Sequence, residues 1–141
     1  MMAGRARSLT SMSTSSPSTP QPTGITLHKK SRVLEITFAD GRCFKLPFEF
    51  LRVYSPSADV RGHGPGQEVL QTGKKNVTIT RVDPVGHYAL RLVFSDGHSS
   101  GIYSWDLLYA YGVGQDAMWQ EYLSRLQANG ASRESASTQE H

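Results

Sequence analysis

Few side chains in this sequence have both the type and the setting for chemistry. Residues 54–67 (YSPSADVRGHGPGQ) carry no hydrophobic period, are rich in glycine, and hold Asp59, Arg61 and His63 as their ionisable groups. Long irregular connections inside a compact domain are often functional. A second candidate is His98, directly after Asp96-Gly97. An imidazole binds metal when other donors converge on it, so Asp59, His63 and His98 form a candidate O/N/N set for iron or zinc. The same three residues with Arg61 could instead act on a small metabolite, although a chain this short leaves little room for a deep pocket. A third alternative is an interaction domain without ligand, in which His98 only hydrogen-bonds across its hairpin. The glycines are not a phosphate-binding loop, because no Gly-Lys-Ser/Thr follows and no strand runs into a helix there. No serine, cysteine or paired-carboxylate hydrolase motif is present. His28, His87 and His141 have no partners in the sequence pattern, and Cys43, on an alternating run, reads as a buried small side chain.

An internal echo positions these residues. Val33–Phe38 alternates, Asp40-Gly41 supplies a turn, Cys43–Leu46 alternates again, and Pro47 introduces Phe48–Arg52. The order recurs 56 positions later: Tyr88–Phe94, Asp96-Gly97, His98–Tyr103, then Ser104–Tyr109. Each copy reads strand, turn, strand, short helix. Asp-Gly between alternating apolar runs signals a hairpin in which both turn residues tolerate positive φ. Ser104 is a good N-cap, and Pro47 suits a first helical turn. Ile25–His28 can pair with the first hairpin. Val77–Val82 alternates strictly, with Val77, Ile79 and Arg81 on one side. A last helix spans Gln115–Leu126, with Met118, Trp119, Tyr122, Leu123 and Leu126 as its core stripe. The expectation is a single α+β domain: a mostly antiparallel sheet of five or six strands with two or three short helices, in two strand-turn-strand-helix halves.

Composition bounds the remainder. With one cysteine in 141 residues, the chain can build neither a disulfide framework nor a cysteine-rich zinc or iron–sulfur centre. No run approaches the roughly 18 apolar residues of a membrane-spanning helix. Residues 1–24 lack Asp, Glu and aromatics and are dense in Ser, Thr and Pro, so they are expected to be a disordered tail. The same composition is compatible with a transit peptide, but the prolines break any amphipathic helix, and Met12 offers a second start. Residues 129–141 are again small and polar after Asn129-Gly130, which leaves 25–128 as the folded unit. Without a secretory h-region, a cytoplasmic protein is expected. The net charge of +3 divides into +2 from the N-terminal tail, −1 from the C-terminal tail and +2 from the middle. Lys29-Lys30-Ser31-Arg32 and Lys74-Lys75 lack interleaved aromatics, so nucleic acid is not expected as a partner.

Taken together, Asp40-Gly41, Leu46-Pro47, Phe50-Leu51-Arg52, residues 55–59 (SPSAD), residues 62–66 (GHGPG), residues 84–86 (PVG), Phe94–His98 (FSDGH) and residues 101–105 (GIYSW) resemble the gamma-butyrobetaine hydroxylase-like N-terminal domain family, and most of all its stand-alone bacterial branch. The resemblance covers about residues 25–126. In the hydroxylases the domain precedes a separate iron and 2-oxoglutarate catalytic domain and carries a zinc site of three cysteines and one histidine. Counted from Leu51-Arg52, those cysteine positions fall on Ser55, Ser57 and Val60, and the histidine on His98. One ligand of four is kept, so the resemblance implies that this zinc site is absent and that the hydroxylase activity does not carry over. The same domain type occurs attached to P-loop ATPases of iron–sulfur assembly, which implies a helper role in iron or cluster handling beside a protein partner.

Overall fold

The computed structural model describes residues 19–61 and 69–134. His63 and the glycines around it, residues 1–18 and residues 135–141 lie outside the described residues. The strands are β1 (Pro22–His28), β2 (Val33–Phe38), β3 (Cys43–Pro47), β4 (Ile79–Val85), β5 (Ala89–Phe94) and β6 (Ile102–Ser104). The helices are α1 (Phe48–Val53), α2 (Ala58–Arg61) and α3 (Trp105–Ala128).

The α+β class holds, but the six strands form two antiparallel sheets of three, β1-β2-β3 and β4-β5-β6, instead of one sheet. The reason lies in their faces. Leu34, Ile36, Phe38 and Leu46 of the first sheet and Ile79, Leu90, Leu92, Phe94 and Tyr103 of the second are buried in one cluster with Phe48, Phe50, Leu51, Leu108 and Tyr111. The halves therefore meet through apolar faces, the strongest association open to half-polar strands, and not through an edge. No helix of the described residues is long and apolar enough to cross a membrane.

Both hairpins share one loop geometry. Gly41 N–H donates to Phe38 C=O and Phe38 N–H to Arg42 C=O; Gly97 N–H donates to Phe94 C=O and Phe94 N–H to His98 C=O. Each is a three-residue loop in which only the glycine takes positive φ, +91° at Gly41 and +93° at Gly97. The aspartates stay at negative φ and act instead as side-chain acceptors, Asp40 Oδ1 for Arg42 N–H at 2.9 Å and Asp96 Oδ1 for His98 N–H at 3.1 Å.

Three further expectations are corrected. The two C-terminal helices are one, running through Gly112 and Gly114. A Cβ at Gly112 would clash with the Phe44 ring, so this glycine admits a β3 side chain against the helix in the stretch between the two expected helices. Ser104 caps the helix as expected, its Oγ accepting Leu107 N–H at 3.1 Å. In β4 the register shifts between Ile79 and Arg81. That bulge moves Arg81 into solvent, while Ile79 stays buried and Val82 packs on the core. Cys43, expected inside, is exposed, because β3 turns Phe44 and Leu46 toward the core and Cys43 and Lys45 outward.

Residues 129–134 run back against the domain. Ser132 and Arg133 carbonyls accept the Gly73 and Lys75 N–H groups, and Arg133 makes a two-point contact with buried Glu49 at 2.8 Å while its guanidinium lies over Trp119.

Candidate functional site: a serine-histidine corner

Helix α1 ends at Val53, and Tyr54 leads into an extended Ser-Pro-Ser segment before α2 begins. The β5–β6 hairpin brings residues 96–101 against this segment. Ser55 Oγ and His98 Nε2 are 2.8 Å apart, and Ser55 Oγ also accepts Ser57 N–H. Ser57 Oγ lies 2.6 Å from Ser100 Oγ and accepts Asp59 N–H. Ser100 Oγ–H in turn donates to Asp59 Oδ2 at 3.4 Å. The two serines of the α1–α2 link are buried, Ser55 completely. Close approach depends on Gly101, where a Cβ would meet Ser55 Oγ at 2.5 Å.

Charge surrounds this network. Asp96 Oδ2 accepts from Arg52 Nε at 2.9 Å and from Lys74 Nζ at 2.7 Å. Burial alone would raise the Asp96 carboxyl, but the hydrogen bonds from Lys74 and His98 N–H, with the charge and hydrogen bond of Arg52, hold it down at about 2. His98 is lowered from its ordinary value, first by burial and then by the Arg52 charge, against the opposing pull of Asp96 and Asp59. The neutral imidazole is thus the favoured form, and which of Ser55 Oγ and Nε2 donates follows from the tautomer. Behind the corner, Tyr103 O–H donates to Leu51 C=O at 2.6 Å, Arg61 Nη2 donates to Tyr111 Oη at 3.2 Å, and Tyr111 O–H to Tyr54 C=O at 2.6 Å.

Of the expected set, Asp59 and His98 join one hydrogen-bonded network, and His63 lies outside the described residues. Among the described residues no group of three or more His, Cys, Asp or Glu side chains is placed to hold a metal ion. The zinc set implied by the resemblance does not fit. Val60 has no donor atom, both serine hydroxyls are engaged with His98, Ser100 and backbone N–H groups, and hydroxyls are poor zinc donors. Nor is the Ser55–His98 pair a nucleophile and its base in use: the distance suits proton transfer, yet a serine with no exposed surface cannot reach a carbonyl carbon. A cleft of about 100 Å³ lined by Pro47, Phe50, Gln115, Asp116 and Trp119 is well below the roughly 300 Å³ at which metabolite pockets begin.

Sequence reasoning missed most of this corner. Ser55, Ser57 and Ser100 were legible only through spacing: a hydroxyl two residues before a backbone N–H, as in Ser55–Ser57 and Ser57–Asp59, is a recurrent local turn. Arg52 and Gly101 stood out only as parts of the family motifs and Lys74 only as one of a basic pair, with nothing local to give them a place at the corner. His28, read as lacking company, hydrogen-bonds Glu35 at 2.7 Å on the outer sheet face, and Cys43 Sγ–H donates to the other Glu35 oxygen.

Comparison with known proteins agrees with the motif reading. The sequence pattern of the family described as gamma-butyrobetaine hydroxylase-like, N-terminal, matches residues 25–109. A protein solved by NMR in solution is 52% identical over 88% of this chain and 92% of its own, with a TM-score of 0.74. A second NMR structure is 46% identical over 82% and 91%, with a TM-score of 0.72. A crystal structure of a protein of unknown function of the DUF971 family from Acidithiobacillus ferrooxidans is 43% identical over 66% of this chain and 93% of that one, with a TM-score of 0.55. No curated protein matches.

Proposed function

The chain belongs to the gamma-butyrobetaine hydroxylase-like N-terminal family, and we propose that it works as a small, non-catalytic binding module that acts with a protein partner. One observation carries this reading. The polar side chains at the corner are committed to one another, with Ser55 buried under His98 and Asp59 bonded to Ser100. A site for catalysis keeps a nucleophile or base open to substrate. A link to iron or iron–sulfur handling is supported by the family resemblance alone, and cytoplasmic location is part of the same proposal.

An iron or zinc ion on Asp59, His63 and His98 is the narrower form of the proposal. It is favoured by the neutral state of His98, the form in which imidazole binds metal, and by the shared network of His98 and Asp59. Such an ion takes His98 at Nδ1 or displaces Ser55 from Nε2. Metal analysis of untagged protein beside His63→Ala and His98→Ala tests it: bound metal that both substitutions remove supports it, and metal-free protein after iron and zinc loading overturns it.

The broader reading is tested by a metabolite-library thermal-shift screen run beside affinity capture, with each captured protein then purified and remixed. A single partner that rebinds at micromolar concentration or below is the expected result. A metabolite that raises the melting temperature and is chemically converted would overturn the non-catalytic reading.

A further inference from the structure

The positions at which the resemblance places zinc ligands are not vacant ground in this chain. They hold a set of hydrogen bonds, the two crossing ones at 2.8 and 2.6 Å, joining the same two pieces of backbone that three thiolates and a histidine would join. We infer that the Ser55–His98 and Ser57–Ser100–Asp59 hydrogen bonds take over the cross-linking that a structural metal supplies in thiolate-bearing members, so that this corner folds to completion without an ion. The inference concerns the fold, and it stands or falls separately from the partner and ligand readings above.

Geometry favours it in three ways. First, the two bonds that cross between the α1–α2 link and the β5–β6 hairpin, Ser55–His98 at 2.8 Å and Ser57–Ser100 at 2.6 Å, span 43 residues of sequence each. They therefore close a long loop, as a metal clip does. Second, the hydroxyls are satisfied: Ser55 Oγ and Ser57 Oγ each accept a backbone N–H in addition to the crossing bond. Full satisfaction is what makes a buried polar network stabilising. Third, the remaining thiolate position is closed by carbon, because Val60 is a hydrocarbon side chain only 6% exposed. A hydrocarbon there fills space and leaves no donor unmade. An ion taken up by Asp59, His63 and His98 Nδ1, with Nε2 left to Ser55, would then be a ligand added to a finished corner.

The test uses the full chain in two arms. Melting is recorded for the His63→Ala variant, which breaks the ligand set proposed above and leaves the corner intact, as purified, after a strong chelator, and with one equivalent of zinc or cobalt. The inference expects the three curves to coincide. A fall of about 4–8 °C on chelation, recovered with zinc, would overturn it, since that shift matches the loss of about one strong interaction in a domain of this size. The second arm restores donors in the triple variant Ser55→Cys, Ser57→Cys, Val60→Cys. This variant is expected to bind cobalt one to one with the absorption bands of tetrahedral cobalt thiolate, and to bind it more weakly with shifted bands when His98→Ala puts water in place of the imidazole. Should the triple variant fail to fold without metal, refolding on cobalt addition is the same positive result. A folded triple variant that shows no cobalt thiolate bands means that the corner does not juxtapose these four positions, and the inference fails.

Discussion

Asp40-Gly41 and Asp96-Gly97 are the same device used in two surroundings. The loops match bond for bond, and their glycine φ angles differ by only 2°, +91° against +93°. What differs is the second carboxylate oxygen. Asp40 Oδ2 accepts a hydrogen bond from Tyr109 O–H at the surface of α3. Asp96 Oδ2 is clamped by Arg52 and Lys74, and its loop carries His98 into the buried serines. The repeat in sequence thus specifies backbone, while the charge and burial around each copy decide whether the turn is an ordinary surface feature or the base of a polar corner.

The comparison is broken most directly at Arg52. Its side chain is 9% exposed, and Arg52→Ala leaves Asp96 Oδ2 with Lys74 alone and Gln71 Oε1 without its Arg52 donor. We expect a loss of about 2–4 kcal/mol in denaturant unfolding. The counterpart, Tyr109→Phe at Asp40, is expected to leave the midpoint nearly unchanged because that pair is solvated. Equal losses would mean that the two turns are not differently used.

Gly101→Ala comes next. Its added Cβ must push Ser55 Oγ, 2.5 Å away, or move Pro56, which should cost about 1–3 kcal/mol. Gly24→Ala, on the exposed first strand with nothing within 4 Å, is the control expected to show no such loss.

Smallest is the pH dependence, in which His98 and Asp96 of the second hairpin act with the same sign in two different windows. His98 is lowered in the folded state, so its contribution is complete above about pH 6.5 and is lost as pH falls through the lower folded value. Asp96, lowered from 3.8 to about 2, contributes above about pH 4 and loses that contribution as pH falls toward 2. Wild-type stability should therefore decline in two legs on acidification, and His98→Gln should remove the first leg alone. A first leg that survives in His98→Gln would assign it to another group.

How much of this was legible depends on the range of each signal. The hairpins, the Ser104 cap and the Asn129-Gly130 stop are written in residues a few positions apart, and local chemistry sufficed. The split into two sheets was not, because alternation in β2 and β5 states which face is apolar but not what that face meets. Gly112, in the gap between the two helices expected at Ser104–Tyr109 and Gln115–Leu126, is a related case: only the position of Phe44, remote in sequence, explains it. At the corner, His98 and Asp59 could be singled out as residue types, whereas Ser55 and Ser57 looked like losses. Their role depends on a hairpin 43 residues away. The C-terminal segment is a similar case: Arg133 has no local reason for order, and its partner Glu49 is 84 residues distant.

The central claim is that His98 is a structural partner of Ser55. The most direct measurement is a double-mutant cycle by denaturant unfolding of wild type, Ser55→Ala, His98→Gln and the double variant, all above pH 7. The account predicts a coupling energy of about 1 kcal/mol, with the double variant less destabilised than the sum of the singles. Strict additivity, with each substitution costing the same whether or not the other is present, would contradict it.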